Sequence, residues 1–159
     1  MKDKEILNVL ENSHCYEGLP DRKEQQRLLK LLRFPALDAY YSWTVFVDNN
    51  LYYLRRIVLD QRSTILPRTY GSEIRLPKNE WEKIITVLQN IKIKPFLQNK
   101  GLVIDGIVYG VELGGIFPSC RLTWNTEPPE EWNEVKKWFD KTVAYFEKIL
   151  PPCTLEYEN

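Results

Sequence analysis

The chain has 159 residues, 22 basic against 22 acidic for a formal net charge of zero, and is 43% hydrophobic and 13% aromatic. That is long enough for one well-buried core and too short for two domains without a linker, so residues 1–159 read as a single domain. Neutrality argues against nucleic-acid binding driven by bulk charge, and three scattered cysteines without a CxxC pair indicate neither a disulfide framework nor a zinc site.

The charge is unevenly spread. Residues 51–100 hold ten Lys or Arg against four Asp or Glu, whereas 126–159 hold four against eight. This pattern suits either the solvated faces of separate elements or a polarised surface that steers a charged partner. The N-terminal MKDKEILNVLENS lacks the apolar core of a signal peptide, and no apolar run approaches the roughly 18 to 20 residues that span a bilayer. The expectation is a soluble cytoplasmic protein with reduced thiols and no membrane partner.

In chain order, residues 2–12 place Ile6, Val9 and Leu10 on one side of a short helix that needs docking to be stable. Asp21 followed by Glu24 resembles a capping box before QQRLLKLLRF. Leu28, Leu29, Leu31 and Leu32 then supply an apolar face and Pro35 a stop, which predicts a helix over about 22–33.

Tyr40 to Val47 is dense in aromatic and β-branched residues. Asp48-Asn49-Asn50 is a turn cluster, and LYYLRRIVLD follows as a return strand, giving a first hairpin. Tyr41, Trp43, Val45 and Val47 share a face, but neither face of either strand is cleanly polar, so both strands suit the centre of a sheet. Adjacent Arg55 and Arg56 must point to opposite faces.

Residues 60–76 carry a Pro, a Gly and no sustained period, with SEIRL as a short edge strand, so they read as a long connection. Loops of such length are often functional. PKNEWEKIITVLQNIKI then places Trp81, Ile84, Ile85 and Leu88 at helical spacing, predicting a helix over about 79–91.

Gly101 to Leu150 reads as a second hairpin closed by a helix. Asp105-Gly106 is a tight-turn signal. Ile107, Tyr109, Val111 and Leu113 alternate with Val108, Gly110 and Glu112, and after Pro118 Cys120, Leu122 and Trp124 alternate with Arg121, Thr123 and Asn125. The polar face carries Glu112 and Arg121, which pair across strands if the register allows. Pro128, Pro129, Glu130 and Glu131 suit a helix start and Pro151-Pro152 a stop. Between them Trp132, Val135, Phe139, Val143, Phe146 and Leu150 form an apolar stripe over about 129–150. Pro77-x-x-Glu80-Trp81-x-x-Ile84 matches Pro128-x-x-Glu131-Trp132-x-x-Val135, which admits two ββα units, although helix-start chemistry plus a core aromatic explains all four positions without a duplication.

The expected fold class is therefore α+β. An antiparallel sheet of four to six strands is built from two β-hairpins, helices pack on one face, and a ββα-ββα arrangement preceded by N-terminal helices is the finer reading.

Catalytic signatures are sparse. No GxGxxG, Walker A, GxSxG or HExxH string occurs. His14-Cys15 brings the sole histidine beside a thiol, but sequence adjacency does not provide the geometry of a nucleophile and its base. One His and dispersed cysteines build no usual ligand set, so no metal and no cofactor is expected. Tyr52-Tyr53-Leu54-Arg55-Arg56 with Tyr40 and Tyr41 has the composition of a base-stacking platform, and equally that of ordinary strands with snorkelling Arg stems.

The first functional reading is a non-enzymatic binding or protein-interaction module, of an inhibitor or immunity type, whose partner is another protein. The alternative is a small enzyme or ligand-binding protein with a pocket beside residues 60–76, using Asp60, Arg62, Arg68 and Tyr70. A nucleic-acid module ranks third. Glu112 and Arg121 complete the set of candidate binding residues.

Overall fold

The computed structural model describes residues 10, 12–60, 62, 68–94, 106–114 and 119–153. Six strands, β1 (Gln26–Pro35), β2 (Tyr40–Asp48), β3 (Leu51–Asp60), β4 (Arg68–Leu76), β5 (Ile107–Leu113) and β6 (Cys120–Asn125), form one antiparallel sheet in the order β4-β3-β2-β1-β5-β6. Helix α1 (Lys78–Gln89) follows β4, and α2 (Asn133–Ile149) follows β6 after a 3-10 turn at Glu130–Trp132. No helix among the described residues is long and apolar enough to cross a membrane.

The first hairpin forms where the aromatic and β-branched runs require it. Asn49 and Asn50 take φ of 47° and 64°, the left-handed pair of a two-residue turn whose twist matches that of the flanking strands. Asp48 then pairs with Leu51, and Trp43 falls opposite Arg56. In the second hairpin Glu112 falls opposite Arg121, as the alternation of both strands requires.

One face of the sheet packs on the helices. Leu29, Leu31, Trp43, Val45, Leu54 and Val111 meet Trp81, Val135, Phe139 and Phe146 there in a single cluster. Every member of the terminal stripe is buried except Val143, which is half-buried. Indole N–H groups tie the layer together: Trp138 Nε1 donates to the Ile84 carbonyl at 3.0 Å and Trp132 Nε1 to the Lys94 carbonyl at 2.9 Å. Tyr109, Trp124 and Phe139 pack ring to ring at 5.4 to 5.7 Å.

The opposite face is covered over β2, β3 and β4 by an N-terminal strap, residues 12–25. Tyr16 donates to Thr69 Oγ1 at 3.1 Å, and the Thr44 and Ser13 hydroxyls meet at 3.0 Å. Leu10 packs on Ile57 and Leu59. Gly71 makes the close approach possible, because a Cβ there would collide with the Tyr16 ring.

Three expectations are corrected. Residues 22–33 are not a helix: from Gln26 they form β1, between β2 and β5. Leu29 and Leu31 face the helices while Lys30 and Leu32 face the other side, all four buried, and a strand buried on both faces reads as a continuous apolar run. Asp21 does not cap a helix; its carboxylate accepts the Lys23 backbone N–H at 2.9 Å in a turn.

Residues 60–76 are not mainly a connection, since 68–76 form the nine-residue edge strand β4. The arrangement is not ββα-ββα either: four strands run as a meander before α1, and the β5–β6 hairpin joins the free edge of β1. The helix expected over 2–12 lies, Leu10 and Asn12 apart, outside the described residues, as does the 101–105 arm of the Asp-Gly turn.

Candidate functional site

The two arginines of β3 part to opposite faces and meet different surroundings. Arg55, fully buried, donates to the Ser13, His14 and Pro20 carbonyls of the strap. It also donates through Nε to Glu73 Oε2 at 2.9 Å. Glu73 accepts Arg22 as well, at 2.5 and 3.2 Å, so a single buried carboxylate serves two guanidiniums. Arg22 lies over the Tyr53 ring at 3.7 Å. Every strong donor of Arg55 is matched, which makes this cluster an internal tie between strap and sheet.

Arg56, on the helix face, is 3% exposed. It donates to Glu147 Oε2 at 2.7 Å and to the Pro151 carbonyl at 2.6 Å. The other oxygen of Glu147 accepts Trp43 Nε1 at 2.6 Å. Glu147 stands on the last turn of α2, and its side chain is 38% exposed. Beside Arg56 lies a cavity of about 370 Å³ lined by Arg68, Tyr70, Ser72, Pro151 and Cys153. The alternation of β4 brings Tyr70 and Ser72 to this face, opposite Val58 and Arg56. The Ser72 hydroxyl is buried and has no hydrogen-bond partner among the described residues.

Asp60 and Arg62 stand at the same end of the sheet. Asp60 is opposite Arg68 in the β3–β4 register. Arg62 donates to Asp60 at 2.9 and 3.2 Å and approaches Asp38 at 3.2 Å. These side-chain hydrogen bonds hold the Asp60 carboxyl below its ordinary value despite partial burial. Burial raises the Cys153 thiol; Arg56 opposes the shift, while Glu147 and Asp60 reinforce it. Burial likewise raises the Tyr41 phenol. The corner thus mixes three guanidiniums (Arg56, Arg62 and Arg68), three carboxylates (Asp38, Asp60 and Glu147), hydroxyls and a thiol.

Of the residues singled out in the sequence, Asp60, Arg62, Arg68 and Tyr70 converge here, Arg68 and Tyr70 as lining residues. Glu112 and Arg121 do not. They face the strap side on β5 and β6, where Arg121 approaches Glu112 at 3.4 Å and Arg27 approaches it at 3.2 Å. His14 is on the strap, so the His14-Cys15 pair lies on the face opposite Cys153.

The sequence reading missed Ser72, Glu147 and Trp43, and named Arg56 only as part of a possible base-stacking platform. The adjacent arginines of β3 were the available signal, because one of them had to enter the helix-facing layer and find an anion there. Among the described residues no three His, Cys, Asp or Glu side chains group as metal ligands. A second cleft of about 90 Å³ between α1 and the β5–β6 hairpin is lined by Leu88, Ile93, Val111, Leu122 and Val135, with little to orient a ligand. The chain matches no family model, no curated protein and no solved structure.

Proposed function

We propose that the chain is a non-enzymatic binding module and that the group it binds is anionic and enters the cavity between β3, β4 and the segment after α2. The observation that carries this reading is the lining itself. Arg56, Arg68, Tyr70 and Ser72 line one 370 Å³ space at the end of β3 and β4, and among the described residues the buried Ser72 hydroxyl behind it has no hydrogen-bond partner. A concave site with a few convergent polar groups is the usual form of a binding site. Burial raises the thiol of Cys153, which lines the space, away from the thiolate form that a nucleophile needs. The anion belongs either to a small molecule or to an acidic side chain of a partner protein; the shared chemistry is the charge that the guanidiniums recognise.

Titration of the full chain with acetate and with inorganic phosphate, followed by NMR, tests this. Arg68→Ala is expected to weaken binding about tenfold, the loss of one charge-assisted contact, and Tyr70→Phe less. No saturable shift in the wild type, or the same affinity in Arg68→Ala, would remove the reading.

A further inference from the structure

We infer that Trp43 and Arg56 form a carboxylate receptor and that Glu147 is its resident occupant, a built-in competitor for the carboxylate of an external ligand. The inference rests on the binding reading above and specifies the ligand class for the same corner.

Three observations lead to it. The receptor is enclosed: Trp43 and Arg56 are directly paired residues on adjacent interior strands, 1% and 3% exposed, and the Trp43 ring stacks on Tyr41 at 5.5 Å. The donors match a carboxylate, since the indole N–H serves one oxygen at 2.6 Å and the guanidinium the other at 2.7 Å. The occupant is the less constrained partner. Glu147 is 38% exposed on the last turn of α2, and beyond the helix Pro151 is held through its carbonyl to the same Arg56.

Buried donors stripped of an acceptor are costly, so an empty receptor is disfavoured. Replacement of one carboxylate by another leaves no donor bare, and the adjoining cavity at Arg56 provides the approach. A tetrahedral dianion fits less well, because it needs more donors than these two supply.

The test is an acetate titration at constant ionic strength on the wild-type chain, Glu147→Ala and Glu147→Gln, followed on the Trp43 indole N–H resonance. Glu147→Ala should take up acetate about tenfold more tightly than the wild type. Glu147→Gln, which keeps an acceptor but no charge, should fall between and remains informative if the Ala variant is too unstable to measure. An amidated peptide carrying one Asp runs alongside, so that the tighter binder identifies a free acid or a partner's side chain as the source; either supports the receptor.

Equal acetate affinity in the wild type and both variants, or an indole resonance that does not move, overturns the inference. Anion binding that depends on Arg68 while the Glu147 variants gain nothing refutes the receptor alone. A receptor that opens in the variants while Arg68→Ala changes nothing refutes the cavity reading alone.

Discussion

Arg55 and Arg56 are neighbours in sequence, both buried and both paired with a glutamate, yet their surroundings differ. On the strap side the counter-ion Glu73 is itself buried, 8% exposed, and shared with Arg22, and backbone carbonyls take the remaining donors. On the helix side the counter-ion is a half-exposed residue at a helix end, beside a cavity. A buried charge that is fully matched inside the fold contributes to uniqueness of structure. One whose partner borders solvent can exchange that partner. The difference therefore separates a structural cluster from a candidate binding corner, although composition alone makes the two arginines equivalent.

Mutations should split the two faces. The largest effect is expected for Glu73→Ala, which leaves two buried guanidiniums without a carboxylate and should lower stability by about 3 to 5 kcal/mol in chemical denaturation. A loss under about 1 kcal/mol would mean that water or another acceptor replaces Glu73. Glu147→Ala should lose about 1 to 3 kcal/mol, because water can reach the vacated site, and added acetate should restore part of the loss.

Gly71→Ala should cost about 1 to 3 kcal/mol by driving a Cβ into the Tyr16 ring. Tyr16→Ala in the same chain should cancel much of that cost, and additive losses in the double variant would rule out a direct clash.

The pH profile offers a smaller test on the strap side. Burial, with Arg27 adding to it, holds the His14 imidazole below its ordinary value, so the folded chain binds fewer protons than the unfolded one across that interval. Stability from this site is intact above about pH 6.5 and declines as the pH falls below it, until the folded-state value is passed. Thermal melts of His14→Gln should show a shallower decline over this range; an unchanged slope would remove His14 as the cause. Arg121→Ala, at an exposed cross-strand pair, should change stability by less than about 1 kcal/mol, measured by the same denaturation.

How far these features could be read from the residues follows from burial. The β2–β3 hairpin, the Glu112–Arg121 register and both helices were legible, because each has one solvated side or a marked turn that sets its period. β1 was not: a strand enclosed by β2 and β5 and covered on both faces loses its alternation, and Leu-Leu-Lys-Leu-Leu fits helical spacing equally well. β4 was obscured for the opposite reason, since as an edge strand it carries Arg68, Gly71, Glu73 and Arg75, residues that hide a period of two.

The same distinction governs the site. Asp60, Arg68 and Tyr70 follow one another closely in sequence, so a local reading could bring them together. Glu147 lies 91 residues from Arg56, and only the packing of α2 on the sheet joins them.

The strand order also sets a timetable for synthesis. β1 ends at Pro35 and its second neighbour begins at Ile107. At roughly 5 to 20 residues per second, that edge waits about 4 to 14 s on the ribosome for β5 to be made. During that interval a strand rich in leucine on both sides, Leu28 to Phe34, presents unpaired backbone to any passing chain. Crowded expression should therefore select for slow growth or chaperone cover, and a lower induction temperature should raise yield most in variants that weaken the β1–β5 pairing.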